Sequence, residues 1–152
     1  MVGSGVESMN RAEAAARLPE FGALLRVALK AQDRARASYS KFHVGAAVLG
    51  ESGAIYPGCN VESASYGATI CAERAAAVGA VVGGEAGIWA CVVVTPTAEP
   101  SSPCGICRQF LAEFGPDVLV LAASSVSDRV WLSRIADLLP LSFDSRNLAD
   151  AE

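Results

Sequence analysis

Residues Ile88 to Thr95 read Ile-Trp-Ala-Cys-Val-Val-Val-Thr, an apolar run with no polar face to give to water. It is too short for a membrane span and rich in β-branched residues, so it predicts a strand buried on both sides. Such a strand needs a covering layer above and below, and the rest of the chain offers helices to supply them. Pro19 to Ala37 predicts a helix with Phe21, Leu24, Leu25, Ala28 and Leu29 on one face. The Ala-rich stretch Thr69 to Val82 predicts a second, ending at Gly83-Gly84, and Pro103 opens a third that runs through Phe114 to Gly115-Pro116. Phe42 to Leu49 and Ala54 to Asn60 predict two strands joined by a turn at Glu51-Ser52-Gly53. Val118 to Ala122 predicts another buried strand, and Trp131 to Leu139 a short helical element stopped by Pro140. Helices alternating with buried strands imply an α/β layered domain, and the opening hairpin makes its sheet mixed. The 152 residues, 52% hydrophobic and 18% charged, fit one domain with a real core. That domain is expected over residues 19–152, with 1–18 as a flexible N-terminal tail.

Other classes are disfavoured. No apolar run reaches the ~18 residues of a membrane span. Met1 to Asn10 mixes Gly, Ser and Glu without the basic-then-apolar order of a secretory signal, so a cytoplasmic location is expected. The net charge is −4, and the densest basic group, Arg26, Lys30, Arg34 and Arg36, surrounds Asp33 as a solvated helix face does. No nucleic-acid partner and no membrane partner is expected; a small, uncharged or weakly charged substrate is.

The five cysteines are Cys59, Cys71, Cys91, Cys104 and Cys107. An odd count argues against a disulfide framework. Cys71, in Thr-Ile-Cys-Ala-Glu-Arg, and the pair in Pro-Cys-Gly-Ile-Cys both fall at predicted helix N-termini, where free N–H groups favour a thiolate. Cys104 and Cys107 share one face of a helical turn. With Cys71 they make a three-ligand set that leaves a fourth position open, the pattern of a catalytic zinc rather than a structural one. Taken alone, Cys-x-x-Cys reads as a redox dithiol. Cys91 reads as a core residue, Cys59 as a weaker candidate for a fourth ligand, and His43 as a surface or hydrogen-bonded histidine. Glu73, two residues past Cys71, is the candidate proton carrier beside a metal-activated water; first-turn glutamates are also favoured by the helix dipole alone. Arg74 stands three residues after Cys71 and can donate to thiolates, or else pair with a surface carboxylate.

Cys-Ala-Glu-Arg followed by Pro-Cys-Gly-x-Cys-Arg-Gln resembles the signature of the cytidine deaminase family, in its small homotetrameric branch with three cysteines. The resemblance extends from Leu24 to Leu148, through Ser38-Tyr39-Ser40-Lys41-Phe42-His43-Val44-Gly45-Ala46-Ala47, Gly58-Cys59-Asn60-Val61-Glu62-Ser63-Ala64-Ser65-Tyr66 and Leu138-Leu139-Pro140. It implies a three-layer fold with a mixed five-stranded sheet between helices. It implies one Zn2+ per chain on Cys71, Cys104 and Cys107, with Glu73 catalytic, Arg74 bonded to the thiolates and Gln109 close behind the metal site. Phe42 would pack on the pyrimidine, Asn60 and Glu62 would bond the ribose hydroxyls, and Ala72 would join the substrate contacts. Tyr66 and Phe143 would serve sites shared between subunits of a homotetramer. The implied reaction is deamination of cytidine and 2′-deoxycytidine to uridine and 2′-deoxyuridine plus ammonia, in pyrimidine salvage. The chain departs from the family at His43, where proline is common, at Ser63, where asparagine is common, and at Leu141-Ser142-Phe143-Asp144. A deaminase of a modified cytosine nucleoside such as blasticidin S, or a structural zinc module without catalysis, are the competing readings.

Overall fold

The computed structural model describes residues 5–149. The chain runs β1 (Glu7–Asn10), α1 (Arg11–Arg17), α2 (Phe21–Gln32), β2 (Gly45–Gly50), β3 (Ile55–Cys59), α3 (Ala72–Val82), β4 (Ile88–Thr95), α4 (Gly105–Ala112), β5 (Leu119–Ser124), β6 (Arg129–Arg134), α5 (Ile135–Leu138) and α6 (Ser145–Ala149). All six strands form one sheet in the order β1-β6-β5-β4-β2-β3. The β4–β5 pair is parallel and the other neighbours are antiparallel, so the sheet is mixed as expected.

β4 is buried along nearly its whole length, and its residues alternate between two cores. Val92 and Val94 join Ala47, Leu49 and Leu121 beneath α1 and α2, where Phe21, Leu24 and Ala28 close the layer. Cys91 joins Ala46, Val48 and Val120 on the other face, beneath α3, α4 and α5. The result is the expected three-layer α/β architecture. α3 contributes Ala72, Ala76, Ala77 and Ala80 to its core, small side chains that bring a helix close to a sheet. Glu51-Ser52-Gly53 forms the β2–β3 turn, with Gly53 at φ 87°, a conformation open to glycine at little cost.

Three expectations are corrected. Residues 7–17 are not a loose tail. β1 pairs with β6, and Asn10 caps α1 by accepting from the Glu13 N–H at 2.9 Å while Glu13 accepts from the Asn10 N–H at 2.8 Å. Ala14 of α1 is fully buried against the first core. Residues 1–4 of the expected tail lie outside the described residues. Consequently the sheet has six strands where five were expected. Finally, the helical element expected over Trp131 to Leu139 is divided. Residues through Arg134 finish strand β6, with Val130 and Leu132 buried on alternate positions, and helix begins at Ile135. Among the described residues no helix is long and apolar enough to cross a membrane.

Candidate active site

Two strand-to-helix junctions build the site. Cys71 precedes α3 at φ −76°, ψ 155°, and Cys104 precedes α4 at φ −66°, ψ 165°. Both are extended residues at helix entrances, and neither side chain bonds its own helix's amides. The two thiols are therefore free to project outward in the field of a helix N-terminus. Cys107, on the first turn of α4, completes the group, and the three sulfurs lie within 4.8 Å of one another. The Cys71 and Cys104 sulfurs are 3.8 Å apart. Zinc–sulfur bonds of ~2.3 Å in a tetrahedral set place sulfurs about 3.8 Å apart, so this donor set suits that ion. Cys91 is fully buried in the core, where burial pushes its thiol pKa well up. Cys59 stands apart, donating to the Arg34 carbonyl at 3.7 Å. His43 is exposed, with Nδ1 3.2 Å from the Lys41 carbonyl.

The group is electrostatically prepared. A hydrogen bond from Cys107, then the Arg74 guanidinium and Cys104, pull Cys71 down to about 5 in spite of its burial. The same Cys71–Cys107 bond, with burial, pushes Cys107 up. Arg74 Nη2 reaches Cys71 Sγ at 4.0 Å and donates to the Thr69 carbonyl at 3.1 Å, while its buried Nε has no hydrogen-bond partner in the protein. Thus Arg74 faces the sulfur of Cys71. Glu73 is 4% exposed. Burial raises its carboxyl above the ordinary value, and the charge on Cys71 adds to that.

A pocket of about 290 Å³ opens beside the sulfurs. Cys71, Cys104, Glu73, Ala72, Phe42, Asn60 and Glu62 all line it, so residues far apart in sequence converge there. Glu62 is held by the Tyr39 N–H at 2.8 Å, the Ser40 N–H at 3.2 Å and the Ser40 hydroxyl, and that hydroxyl above all keeps its carboxylate pKa low. Asn60 accepts from the Val44 N–H at 2.9 Å and donates to the Phe42 carbonyl at 2.8 Å, bracing the segment that presents Phe42. Lys41, at φ 60°, takes the left-handed conformation that turns the chain just before Phe42.

Five expected residues lie outside this pocket: Cys107 and Arg74, which belong to the sulfur group, and Tyr66, Phe143 and Gln109. Tyr66 is 76% exposed and borders an adjoining hollow with Tyr39, Ser40 and Glu62. Phe143 is 59% exposed on the C-terminal segment. The Gln109 amide donates to the Phe143 carbonyl at 2.8 Å and to Glu113 at 3.4 Å. In the pocket wall, sequence reasoning missed Ser40, Ser101 and Ser102, which lie in loops, and Thr95 at the end of β4, because isolated hydroxyl residues carry no spacing signal. It also gave no role to Arg108, although that residue adjoins Cys107.

Residues 20–123 match the family model described as "Cytidine and deoxycytidylate deaminase zinc-binding region". The chain belongs to this deaminase family. The match begins after β1 and α1 and takes in both cysteine junctions. A cytidine deaminase of Sporosarcina psychrophila is 43% identical over 122 residues, 80% of this chain and 90% of its own. The crystal structure of cytidine deaminase from Burkholderia pseudomallei superposes with a TM-score of 0.76 at 42% identity, over 80% of this chain and 98% of its own. A blasticidin-S deaminase of Bacillus cereus is more distant, 30% identical over 112 residues, 68% of this chain and 79% of its own. The family's zinc-binding region thus coincides with the sulfur cluster, and one zinc ion per chain fits it.

Proposed function

We propose that this chain hydrolytically deaminates cytidine and 2′-deoxycytidine to uridine and 2′-deoxyuridine, releasing ammonia, as pyrimidine salvage requires. The placement of Glu73 carries this reading: a buried carboxyl on the first turn of α3 lines the same pocket as Cys71 and Cys104. Cys71, Cys104 and Cys107 would hold the zinc. When bound, the ion supplies the Lewis acidity that lets water attack near neutral pH. Glu73 takes a proton from the attacking water and passes it to ring N3 while the water oxygen bonds to C4. It then carries the remaining hydroxyl proton to the amino group, the C4–N bond breaks, and ammonia leaves. The atoms balance with water as the one co-substrate. Phe42 lies against the ring, Ala72 borders the base, and Glu62 and Asn60 offer acceptor and donor to the sugar hydroxyls.

Arg74 offsets the thiolate charge, and Gln109 supports the region through the C-terminal segment. The exposure of Tyr66 and Phe143, outside the pocket, supports a homotetramer in which each would meet a neighbouring copy's site. A cytoplasmic location goes with that reading.

The test is Glu73→Gln, assayed by the ultraviolet change as cytidine becomes uridine, with zinc per chain measured on the same sample. Turnover is expected to fall by about 10²- to 10⁴-fold with zinc and fold retained. Near wild-type turnover would remove Glu73 from the proton path. A zinc-loaded wild-type protein inert toward both nucleosides would overturn the proposed reaction.

A further inference from the structure

Arg108 follows a metal-site cysteine, yet its side chain folds back across the entrance of its own helix. Its Nε donates to the Pro103 carbonyl at 2.8 Å, Nη2 to the Ser102 hydroxyl at 3.0 Å and Nη1 to the Leu138 carbonyl at 2.9 Å. Its backbone N–H donates to the Cys104 carbonyl at 3.0 Å. All the side-chain acceptors are neutral oxygens, and among the described residues Arg108 forms no ion pair. A half-buried guanidinium aimed at three neutral oxygens acts as a rigid fork, fixing three points of backbone and side chain together.

Those points matter because Cys104 has little else to hold it. It is exposed, its side chain makes no capping bond, Pro103 before it has no N–H, and Gly105 after it has no side chain. The Cys104 position is therefore set by the loop that enters it. Arg108 ties that loop to the last residue of α5, whose Ile135 is anchored in the core. Ser102, also held, lines the pocket beside Cys104.

We propose that Arg108 is a positioning residue for the metal site: by fastening Ser102 and Pro103 to the end of α5, it holds Cys104 at the separation from Cys71 that one shared ion requires. This rests on the reading of the three cysteines as zinc ligands, and the experiment separates the two claims. Zinc affinity is measured by chelator competition on wild type, Arg108→Gln, Arg108→Lys and Cys104→Ala. The thiolate-to-metal absorption of each cobalt-loaded protein is recorded in parallel, with circular dichroism as the check on folding. Arg108→Gln is expected to bind zinc roughly ten-fold more weakly, with shifted or weakened cobalt–thiolate bands. Arg108→Lys, whose single ammonium cannot span all three oxygens, should fall between it and wild type. A lowered melting temperature with wild-type zinc affinity and an unchanged cobalt spectrum would overturn the positioning role, leaving Arg108 a structural brace. If Arg108→Gln does not fold, Arg108→Lys decides by the same two readouts. Unchanged zinc affinity in Cys104→Ala would instead overturn the ligand reading on which the proposal stands.

Discussion

Glu62 illustrates how a residue's chemistry is completed by its neighbours. Two backbone N–H groups and the Ser40 hydroxyl hold its carboxylate, so its pKa lies below the ordinary range. With the folded value lowered, the group is charged throughout the neutral range and takes up a proton as pH falls through that lowered value. It therefore meets a substrate hydroxyl as a fixed, ionised acceptor. Ser40→Ala removes the strongest of these restraints while keeping both backbone bonds. The KM for cytidine should rise about five-fold, the worth of roughly 1 kcal/mol, with kcat little changed. Steady-state kinetics check this, and a fall in kcat with constant KM would place Ser40 in the chemical step instead. The chemical types and spacing of Cys71, Glu73, Cys104 and Cys107 were legible in the sequence as a candidate set, since clustered thiols with a carboxylate close by suit metal and proton chemistry. The bracing role of Asn60 was not, because its bonds run to the Phe42 and Val44 backbone and exist only once β2 and β3 are folded.

At the scale of elements, the apolar run Ile88–Thr95 and the Ala-rich helix were readable because burial on both faces and close helix packing each leave a compositional mark. The ends were less so. The third helix was expected from Pro103 and begins at Gly105; the second was expected from Thr69 and begins at Ala72. An extended cysteine stands at the N-cap of each, so the helical conformation starts one residue after it. β6 escaped because a short strand running straight into α5 blends two periodicities. How closely β3 and α3 approach was also hidden. A Cβ at Gly58 would overlap the Ala72 carbonyl and crowd the Ala76 backbone. Gly58→Ala should push α3 from the sheet, lowering the unfolding free energy by about 1–3 kcal/mol. Because α3 begins between Cys71 and Glu73, zinc per chain should fall as well. Urea unfolding and metal content measure both effects, and unchanged values in each would mean that the helix shifts without cost.

For the whole molecule, the informative feature is the edge of the sheet. The N-terminal segment was expected to be loose because Met1 to Asn10 is polar and Gly-rich, yet the Asn10–Glu13 spacing already carried a capping-box signal. β1 covers β6, which would otherwise offer an unpaired edge for association with another chain. α1 adds the buried Ala14 and an Arg11 side chain that donates to the Ser124 carbonyl at 2.9 Å and the Ser127 carbonyl at 3.1 Å, clamping the β5–β6 turn. The Arg17–Glu7 ion pair is exposed and adds little. Removing residues 1–17 should therefore lower stability by about 2–4 kcal/mol, the lost burial and hydrogen bonds being partly offset by chain entropy no longer surrendered. The pocket lies elsewhere: β1 is three strand spacings, about 14 Å, from β4, whose Val93 and Thr95 line it. Zinc affinity and kcat/KM of the folded truncated protein should accordingly stay near wild type, while its aggregation rate rises as the β6 edge is bared. Urea unfolding, light scattering and kinetics on the same preparation separate the cases. Lost stability with intact catalysis fits an edge strap, whereas a parallel loss of kcat/KM would mean that strain at this edge crosses the sheet to the metal site.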